Sequence, residues 1–530
     1  MIRTLLTLAV LACAGSAQAA DLCVKAGGSD ATAKASIVYV AGNEAGSTCW
    51  ETIGRSAWGS TDRTMTVGAQ AAAAGDTVYI FTGPYTHPAG TGENFDPYYN
   101  PVNSGTMGNP IVFRAVPDGT VTLCATDLEL FNDDPDGNQG PTLGVNNRDW
   151  ITIGPGFLLD EACAPTRPDM GPVSITDATG IVFTGNTLVG NEDEDAWWGD
   201  NHPAIRAQTA DQITVSQNII SGFYNTAADD PEDAPCLETY TTDEILVEHN
   251  TCFDSGGGIN FKGNTASPDT RIIRFNLIYG VSTGIVIQNN GADADGETLV
   301  YQNIVRDCVA APTGAGEVTL GIGVHGYGLG SDPQNLYFVN NTIEDCHDGV
   351  GSANFFLNGG LIADANIKWW NNISVDSQFM IYCDNGCGTS DVQDQAAFDA
   401  EHNLYLTFET FANDGSNRTF ATWTSGGYAQ DATSPASTST TDPLFVNQAT
   451  NDLHLQGGST ALTLGRTLTL IHGSSGEVVP AGAYITGDET IGAGGSEEEE
   501  ASETPKRLPR PLQRLIAALM VPPMLHAPAP

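Results

Sequence analysis

Apolar and polar residues alternate over short stretches in the middle of the chain, and one pattern of this kind occurs eight times. In most copies the residues five and three positions before an asparagine are apolar, as Ile181 and Phe183 are before Asn186. A period of two places side chains on one face of a β-strand, so each copy predicts a short strand with one buried face. The marker asparagines are Asn186, Asn218, Asn250, Asn276, Asn303, Asn341, Asn372 and Asn403.

Each marker asparagine is predicted to lie at a corner, because asparagine tolerates left-handed backbone angles and its side chain can bond backbone groups at a bend. Stacked asparagines would form a ladder inside the protein, each amide bonding the next. The markers are 26 to 38 residues apart, and a second short strand accompanies most copies. Such a repeat predicts stacked β-coils. The second strands are AIRAQ (204–208), CLETY (236–240), GINFK (258–262), GIVIQ (284–288), GIGVH (321–325) and GVGSA (349–353).

On these repeats, on the opening segment VYVAGNEAGSTCW and on the closing segment DPLFVNQATNDLHL, the sequence resembles the right-handed parallel β-helix proteins, the broad pectate-lyase-like group. The resemblance covers residues 36–493 and implies an all-β, right-handed parallel β-helix, a solenoid, with a short N-terminal helical cap. That cap is expected near residues 66–74, where TVGAQAAAA joins an N-cap residue to strong helix formers. The expected segments are a signal peptide (1–19), an N-terminal capping region (20–75), the parallel β-helix (76–493) and an acidic, then Pro-rich disordered tail (494–530).

The first residues carry Arg3, then an apolar run, then AGSAQAA, the order of a secretory signal cleaved after Ala19. Lipoprotein attachment at Cys13 is the alternative. No later stretch reaches the ~18 apolar residues of a membrane span. We therefore expect a secreted, extracellular or cell-surface protein.

Eleven cysteines, less Cys13 in the leader, leave ten in the folded part. An even number in an exported protein favours disulfide bonds over metal binding. Cys383 and Cys387 are expected to pair because they lie in one loop, whereas Cys252 has a buried free thiol as its alternative.

The charge balance limits the classes of molecule that the protein can bind. Twenty Lys and Arg against 64 Asp and Glu give a formal net charge of −44, which excludes a nucleic-acid binder. Such a protein also repels a polyuronate at long range, so binding one requires a local basic patch or a bridging cation.

Aligning the second strands places polar residues in two neighbouring columns on the outer surface. An elongated face with periodic polar groups suits an extracellular polysaccharide. Trp197 and Trp198, in a loop beside this face, are expected to stack on sugar rings, or alternatively only to cover the coils. The first column contains Arg206, Glu238, Asn260 and Val286, and the second contains Gln208, Tyr240, Lys262, Gln288 and His325.

Lys262 in GINFKGN carries the enzymatic hypothesis. The resemblance to β-helix polysaccharide lyases implies that this lysine removes the proton next to a uronate carboxylate, with Arg206 or a calcium ion offsetting the carboxylate charge. A base of this kind must be partly desolvated or lie beside other cations. The alternative is an ordinary solvated surface lysine. In the chondroitinase and alginate-lyase branch a second cation follows one coil later, where this sequence has Gln288.

Aspartates in the loops at 191–203 and 228–236 predict a calcium site. The one-lysine pectate-lyase branch holds calcium with an aspartate cluster, which this sequence does not match residue by residue. Calcium takes six to eight oxygen ligands, so carboxylates of two successive coils would have to converge. A solvated acidic surface is the alternative. The aspartates are Asp193, Asp195, Asp200, Asp229, Asp230 and Asp233.

Two other functions remain open. A non-catalytic surface protein, adhesin or matrix protein fits the uneven repeat and the Gln288 substitution. A polygalacturonase-like hydrolase is suggested because VHGYGLGS resembles the GHG-x-x-x-GS segment of that family, with His325, Gly326, Gly330 and Ser331 matching, although its paired carboxylates have no assigned positions.

Overall fold

The computed structural model describes residues 21–24, 72–87, 100–125, 141–161, 171–190, 202–224, 234–263, 270–289, 296–309, 319–326, 334–348, 351–358, 365–384, 398–414, 416–425, 430–435, 443–448, 452–467, 479–484 and 489–493. Within these residues, 28 strands form one continuous hydrogen-bonded system. The two remaining strands, near the end of the chain, form a separate antiparallel pair.

The strands are β1 (Asp21–Val24), β2 (Thr77–His87), β3 (Ile111–Ala125), β4 (Leu143–Asn146), β5 (Ile151–Ile153), β6 (Phe157–Asp160), β7 (Val173–Thr176), β8 (Val182–Thr184), β9 (Thr187–Val189), β10 (Ile205–Gln208), β11 (Ile213–Ser216), β12 (Ile219–Ser221), β13 (Pro235–Tyr240), β14 (Ile245–Glu248), β15 (Thr251–Lys262), β16 (Thr270–Arg274), β17 (Leu277–Asn289), β18 (Glu297–Tyr301), β19 (Ile304–Arg306), β20 (Leu320–Gly326), β21 (Gln334–Val339), β22 (Thr342–Cys346), β23 (Ala353–Asn358), β24 (Ala365–Trp370), β25 (Ile373–Asp384), β26 (Phe398–Glu401), β27 (Leu404–Asn413), β28 (Asn417–Arg418), β29 (Phe445–Asn447) and β30 (Asp452–Leu455). Helix α1 spans Phe420–Thr424, and a 3-10 turn spans Thr460–Thr463.

Each coil contributes strands to three parallel stacks. Stack A contains β4, β7, β10 and β13 and then the second halves of β15 and β17, followed by β20, β23 and the second half of β25. Stack B runs from β5 through β8, β11, β14, β16, β18, β21 and β24 to β26. Stack C contains the short strands that follow the asparagines, such as β9, β12, β19 and β22. This arrangement is a parallel β-helix, so the predicted fold is confirmed.

The period of two read from the sequence matches the buried positions of stack B. Ile213, Val215, Ile245 and Val247 are all buried inside the coils, as are the corresponding residues of later coils. Every inward side chain therefore stacks on its equivalent in the next coil, and together they form one continuous core.

The eight marker asparagines form the predicted ladder. Asn218 donates both its backbone N–H and its side-chain N–H to Asn250 Oδ1, each over 3.0 Å. It also donates to the carbonyl of Phe183 over 3.1 Å. Equivalent bonds join each later marker to the next as far as Asn403. The amides therefore satisfy the buried backbone at the corner between stacks B and C.

The left-handed residue lies one position earlier than the sequence indicated. None of the marker asparagines has a positive φ, whereas the residue before each of them does. The marker's side chain must point inward to join the ladder, so the preceding residue makes the turn. The left-handed residues are Gly185, Gln217, His249, Phe275, Gln302, Asn340, Asn371 and His402.

The ladder ends on a buried acid. Asp431 accepts hydrogen bonds from Asn403, Tyr405, Trp423 and Ser434 over 2.7–3.0 Å. Burial raises the pKa of Asp431 despite these bonds. Helix α1 lies at this C-terminal end and contributes Trp423. For the predicted N-terminal cap, residues 66–71 lie outside the described residues, and Ala72–Ala74 are not helical.

Described residues between 443 and 493, here called the return segment, pack along stack C, and from Leu464 onward their contacts follow the coils in reverse order. Gly482 N–H donates to the Asn371 carbonyl over 2.7 Å, and Gly492 N–H donates to the Phe275 carbonyl over 2.8 Å. Ala483 N–H donates to Thr342 Oγ1 over 3.0 Å. A separate apolar cluster, which includes Tyr484, joins this segment to the coils.

Two disulfide bonds lie within the described residues. Cys236 pairs with Cys252 and Cys308 with Cys346, at Cα separations of 6.1 and 4.4 Å. The free-thiol alternative for Cys252 is therefore wrong. Cys383 is also disulfide-bonded, but Cys387, its predicted partner, lies outside the described residues. No described helix is long and apolar enough to span a membrane.

Candidate functional site

The two predicted polar columns exist in stack A. Arg206 pairs in register with Glu238, and Glu238 with Asn260. In the second column Gln208 pairs with Tyr240, and Tyr240 with Lys262. Further along, Gln288 pairs with His325, as predicted. We call the residues Arg206, Glu238, Tyr240, Asn260, Lys262, Gln288 and His325 the site face.

The site face is largely buried, whereas the sequence predicted an exposed outer surface. Glu238 has 0%, Asn260 2% and Lys262 8% of its surface exposed. Gln288 and His325 are buried as well, and Arg206 and Tyr240 are half-buried. The alternative of a solvated surface lysine at position 262 is therefore wrong. A polar side chain in such surroundings is desolvated and must find partners.

Lys262 and Glu238 form an ion pair between neighbouring coils. Lys262 Nζ lies 2.6 Å from Glu238 Oε1, and the Glu238 side chain is fully buried. Tyr240 lies two residues after Glu238 on β13, so the phenol is on the same face of the strand as the carboxylate. Burial and the negative charge of Glu238 raise the pKa of Tyr240 to about 12, so the phenol keeps its proton at neutral pH.

Arg206 adds a second positive charge on the other side of Tyr240. Its guanidinium carbon lies 4.6 Å from the centre of the Tyr240 ring, and Lys262 Nζ lies 5.6 Å from it. Both distances are within the range of a cation–π interaction. Two cations and one carboxylate thus meet around a single phenol ring.

The Asn260 side chain makes no hydrogen bond with the described residues. Neither its amide oxygen nor its amide nitrogen has a partner there, and both atoms are buried. An unpaired buried polar group costs about 1–3 kcal/mol. Asn260 is two residues before Lys262 on β15, so the unpaired amide lies beside the ion pair.

His325 is held in its neutral form. Burial, together with the positive charge of Lys262, lowers the pKa of His325 to about 4 although Asp384 acts in the opposite direction. The ring lies 5.3 Å from that of Phe356. At neutral pH the imidazole therefore carries no charge.

The columns continue beyond the residues that the sequence indicated. Val286 pairs with Gly323, which pairs with Phe356, which pairs with Tyr382. His325 leads to Asn358 and then Asp384. The sequence predicted a strand at 349–353, but β23 begins at Ala353, so this continuation was missed. The apolar run FFL between two asparagines in ANFFLN was the available signal.

Several predicted site residues cannot be placed. Trp197 and Trp198 lie outside the described residues, and so do the aspartates predicted to bind calcium: Asp193, Asp195, Asp200, Asp229, Asp230 and Asp233. Within the described part of the chain, no group of three or more His, Cys, Asp or Glu residues could hold a metal ion. Of the hydrolase-like segment, His325 and Gly326 end β20, while Gly330 and Ser331 are not described.

Comparison with known proteins shows similarity at the level of the fold. No family model matches the chain, and no curated protein matches it. Among solved structures, pectate lyase Pel9A has a TM-score of 0.50 at 12% identity, with 88% of this chain and 97% of that chain covered. A rhamnogalacturonan lyase (TM-score 0.36, 12% identity, 83% and 96% covered) also matches. So does an alginate lyase in complex with a trisaccharide (TM-score 0.34, 13% identity, 80% and 94% covered).

Proposed function

We propose that the chain binds an acidic extracellular polysaccharide along the site face and cleaves it by β-elimination next to a uronate carboxylate. The observation that carries the proposal is the buried contact of 2.6 Å between Lys262 and Glu238, beside the Arg206–Tyr240 pair. It places a potential base, a proton acceptor for that base and a permanent cation on three adjacent coils. The fold that the chain shares with pectate lyase Pel9A supports the proposal at the level of architecture.

In the proposed reaction Lys262 first gives its ammonium proton to Glu238, which leaves a neutral amine and a neutral carboxyl in the buried site. The amine then removes the proton from the carbon next to the uronate carboxylate. The electrons of that C–H bond form a carbon–carbon double bond, and the bond to the glycosidic oxygen breaks. The leaving oxygen takes a proton from solvent, and Glu238 releases to solvent the proton that it received, which restores the charged Lys262–Glu238 pair. The products are an unsaturated uronate and a new chain end.

Arg206 offsets the negative charge that grows on the substrate carboxylate as the proton leaves. A guanidinium keeps its charge at any pH at which the protein is folded, and it can bind a carboxylate through two parallel hydrogen bonds. Tyr240 lies between the two cations and contacts both through its ring, so its role is positioning. The mechanism requires no second cation at Gln288.

Binding without cleavage is the second candidate function, and one observation favours it. The direct ion pair with Glu238 stabilises the charged form of Lys262, which cannot accept a proton. A surface or matrix protein that only binds a glycan would use this pair to organise the site face. The hydrolase alternative gains no support from the described residues.

We also propose that the chain binds calcium, and only the sequence supports this part of the proposal. Its predicted ligands are the loop aspartates at 191–203 and 228–236. None of the steps above uses the ion. Export is likewise proposed, and the two disulfide bonds suit an oxidising compartment outside the cytosol.

The test is a cleavage assay on alginate, pectate, chondroitin and ulvan, with and without calcium, that follows the ultraviolet absorbance of the unsaturated product. We expect a rise with at least one polymer, its loss in Lys262→Ala, and a slower reaction with an altered pH profile in Glu238→Gln. Lys368→Ala is the matched control, because Lys368 forms its ion pair with Asp399 (3.0 Å) in stack B. Cleavage that survives Lys262→Ala would contradict the mechanism, and binding without any rise would establish the second candidate.

A further inference from the structure

We infer that Asn260 binds two neighbouring free hydroxyl groups of the sugar, so that the substrate is a polyuronate whose ring hydroxyls carry no ester at this position. The inference rests on the proposed function and specifies a binding residue and a substrate class for it. It comes from hydrogen-bonding groups of Asn260 that the fold itself does not use.

Asn260 belongs to the outer face of its strand and not to the core. Its neighbours on β15, Ile259 and Phe261, are part of the continuous core, so residue 260 points to the opposite face. In register, Glu238 lies one coil before Asn260 and Val286 one coil after it. The amide therefore lies in the first column, between a carboxylate and an apolar side chain.

The amide of Asn260 differs from the other amides of the chain. Among the described asparagines and glutamines, it is the one in which both the side-chain oxygen and the side-chain nitrogen are buried without a hydrogen-bond partner. A marker asparagine uses both atoms: Asn276 donates to the Val247 carbonyl and accepts from Asn250. The amide of Asn260 is thus desolvated without any compensating bond inside the fold.

The fold does not require an amide at this position. Val286 occupies the same column one coil later, is 1% exposed and packs in an apolar cluster with Leu320 and Phe356. An apolar side chain can therefore be buried at the equivalent point of a coil. An unpaired amide destabilises the folded protein, and departures of this kind occur where a residue serves a ligand.

The ligand group must donate and accept at the same time, because the amide oxygen of Asn260 is an acceptor and its nitrogen a donor. A uronate carboxylate would satisfy only the nitrogen, and a calcium ion only the oxygen. The acetamido group of an amino sugar has both functions, but its amide bond is trans, so its N–H and C=O point in opposite directions. Two neighbouring hydroxyls can meet both atoms, one donating to Oδ1 and the other accepting from Nδ2.

The position of Asn260 relative to Lys262 allows one sugar residue to contact both. Alternate residues of a strand point to the same face and lie about 6.6 Å apart along it. In a uronate residue the neighbouring ring hydroxyls lie across the ring from the carbon that loses its proton. Esterification of these hydroxyls, by acetate or sulfate, removes the donor and leaves Oδ1 of Asn260 unpaired. The substrate is therefore a polyuronate with free ring hydroxyls.

Polygalacturonate and alginate test the inference, each untreated and after chemical O-acetylation of the ring hydroxyls. Affinity is measured by calorimetry and cleavage by product absorbance, with the full chain. We expect the wild type to prefer the untreated polymers, and the ratio of the two affinities to fall roughly tenfold in Asn260→Leu, as the loss of two hydrogen bonds implies. Thermal unfolding of the same samples checks that the variant is folded.

Asn366→Leu is the matched control, because Asn366 lies in stack B and bonds Asn335. We expect it to keep the wild-type ratio. A wild type that binds acetylated and untreated polymers equally overturns the inference, and so does an Asn260→Leu variant with the ratio of the control.

The two proposals fail separately. If the preference depends on Asn260 but neither polymer is cleaved, the β-elimination proposal fails and the inference stands. If a polymer is cleaved and its acetylation has the same effect on the wild type and on Asn260→Leu, the inference fails and the lyase proposal stands. A wild type that binds neither polymer overturns the inference.

Discussion

Asn403 donates a side-chain N–H to the buried carboxylate of Asp431 over 2.8 Å, so the column of stacked amides ends on an acid. The next coil position has no asparagine to accept this hydrogen bond, and the Asp431 carboxylate accepts it instead. Because Tyr405 and Trp423 bind the same carboxylate, the C-terminal end of the core is closed by hydrogen bonds as well as by apolar packing.

The ladder should be a major source of stability. Asn276→Ala removes bonds to Val247 and Asn303 and leaves the neighbouring Asn250 without its acceptor. We expect a loss on the order of 3 kcal/mol in the free energy of unfolding, measured by urea titration. The control is Asn366→Ala, which removes one half-buried bond to Asn335 and should cost less than about 1 kcal/mol. Equal losses in the two variants would show that the ladder has no special role.

Asn260→Leu should separate stability from binding. The amide of Asn260 is buried without a partner among the described residues, so an apolar side chain of similar size removes an uncompensated cost. We expect the melting temperature to stay equal or rise while polysaccharide affinity falls. Calorimetry and thermal unfolding on the same sample check both. A lower melting temperature with unchanged affinity would assign Asn260 a structural role instead.

Glu344 should make stability depend on pH. Burial raises the pKa of Glu344 to about 7, and Asp307 and Asp345 add to this, while Gln448 of the return segment and Arg306 oppose it. The folded state therefore binds the proton more tightly than the unfolded state, so the stability contribution is full below about pH 4 and is lost as the pH rises toward 7.

Glu344→Gln should abolish this dependence and give a more stable protein at pH above 7, by up to about 3 kcal/mol. Urea titrations of the variant and the wild type at several pH values between 4 and 8 measure it. Wild-type stability that increases over this range because of Glu344 would contradict the prediction.

Calcium binding should be saturable. After chelator treatment, calorimetric titration with calcium is expected to show heat that is lost in Asp193→Ala and Asp230→Ala, because a site of six to eight oxygens cannot spare a carboxylate. Asp399→Ala, which alters an acid in stack B, is expected to behave as the wild type. Absence of heat in the wild type would rule the site out.

The sequence predicted the register of the strands more accurately than the burial of their side chains. A period of two and one asparagine per coil are local signals, and they were sufficient to align Glu238 with Asn260 and Tyr240 with Lys262. The sequence left open whether Lys262 is desolvated or solvated, because burial depends on contacts between segments far apart in the chain. The left-handed turn was assigned one residue late, because a preference for asparagine does not distinguish the residue that turns from the one whose side chain points inward.

Asp384 and Tyr382 were missed for a different reason. Strand β25 runs from stack C into stack A, and it turns at Asp376, which has a left-handed backbone (φ 50°), without a glycine or proline that would mark the turn in the sequence. β15 is continuous in the same way, but there GINFK marked the strand by itself. Where a strand turns without a glycine or proline, the sequence carries no local signal for the change from one stack to the next.

The return segment fixes the number of coils. Leu464 contacts His402, Arg466 contacts Asn371, and later residues contact Thr342, Phe275 and Thr251 in turn. Repeat proteins commonly gain or lose units during evolution, because each unit contacts only its neighbours. Here an added or deleted coil between 251 and 403 would displace every contact beyond it by ~4.8 Å. The return segment therefore also fixes how many coils separate Lys262 from Asp384 in stack A.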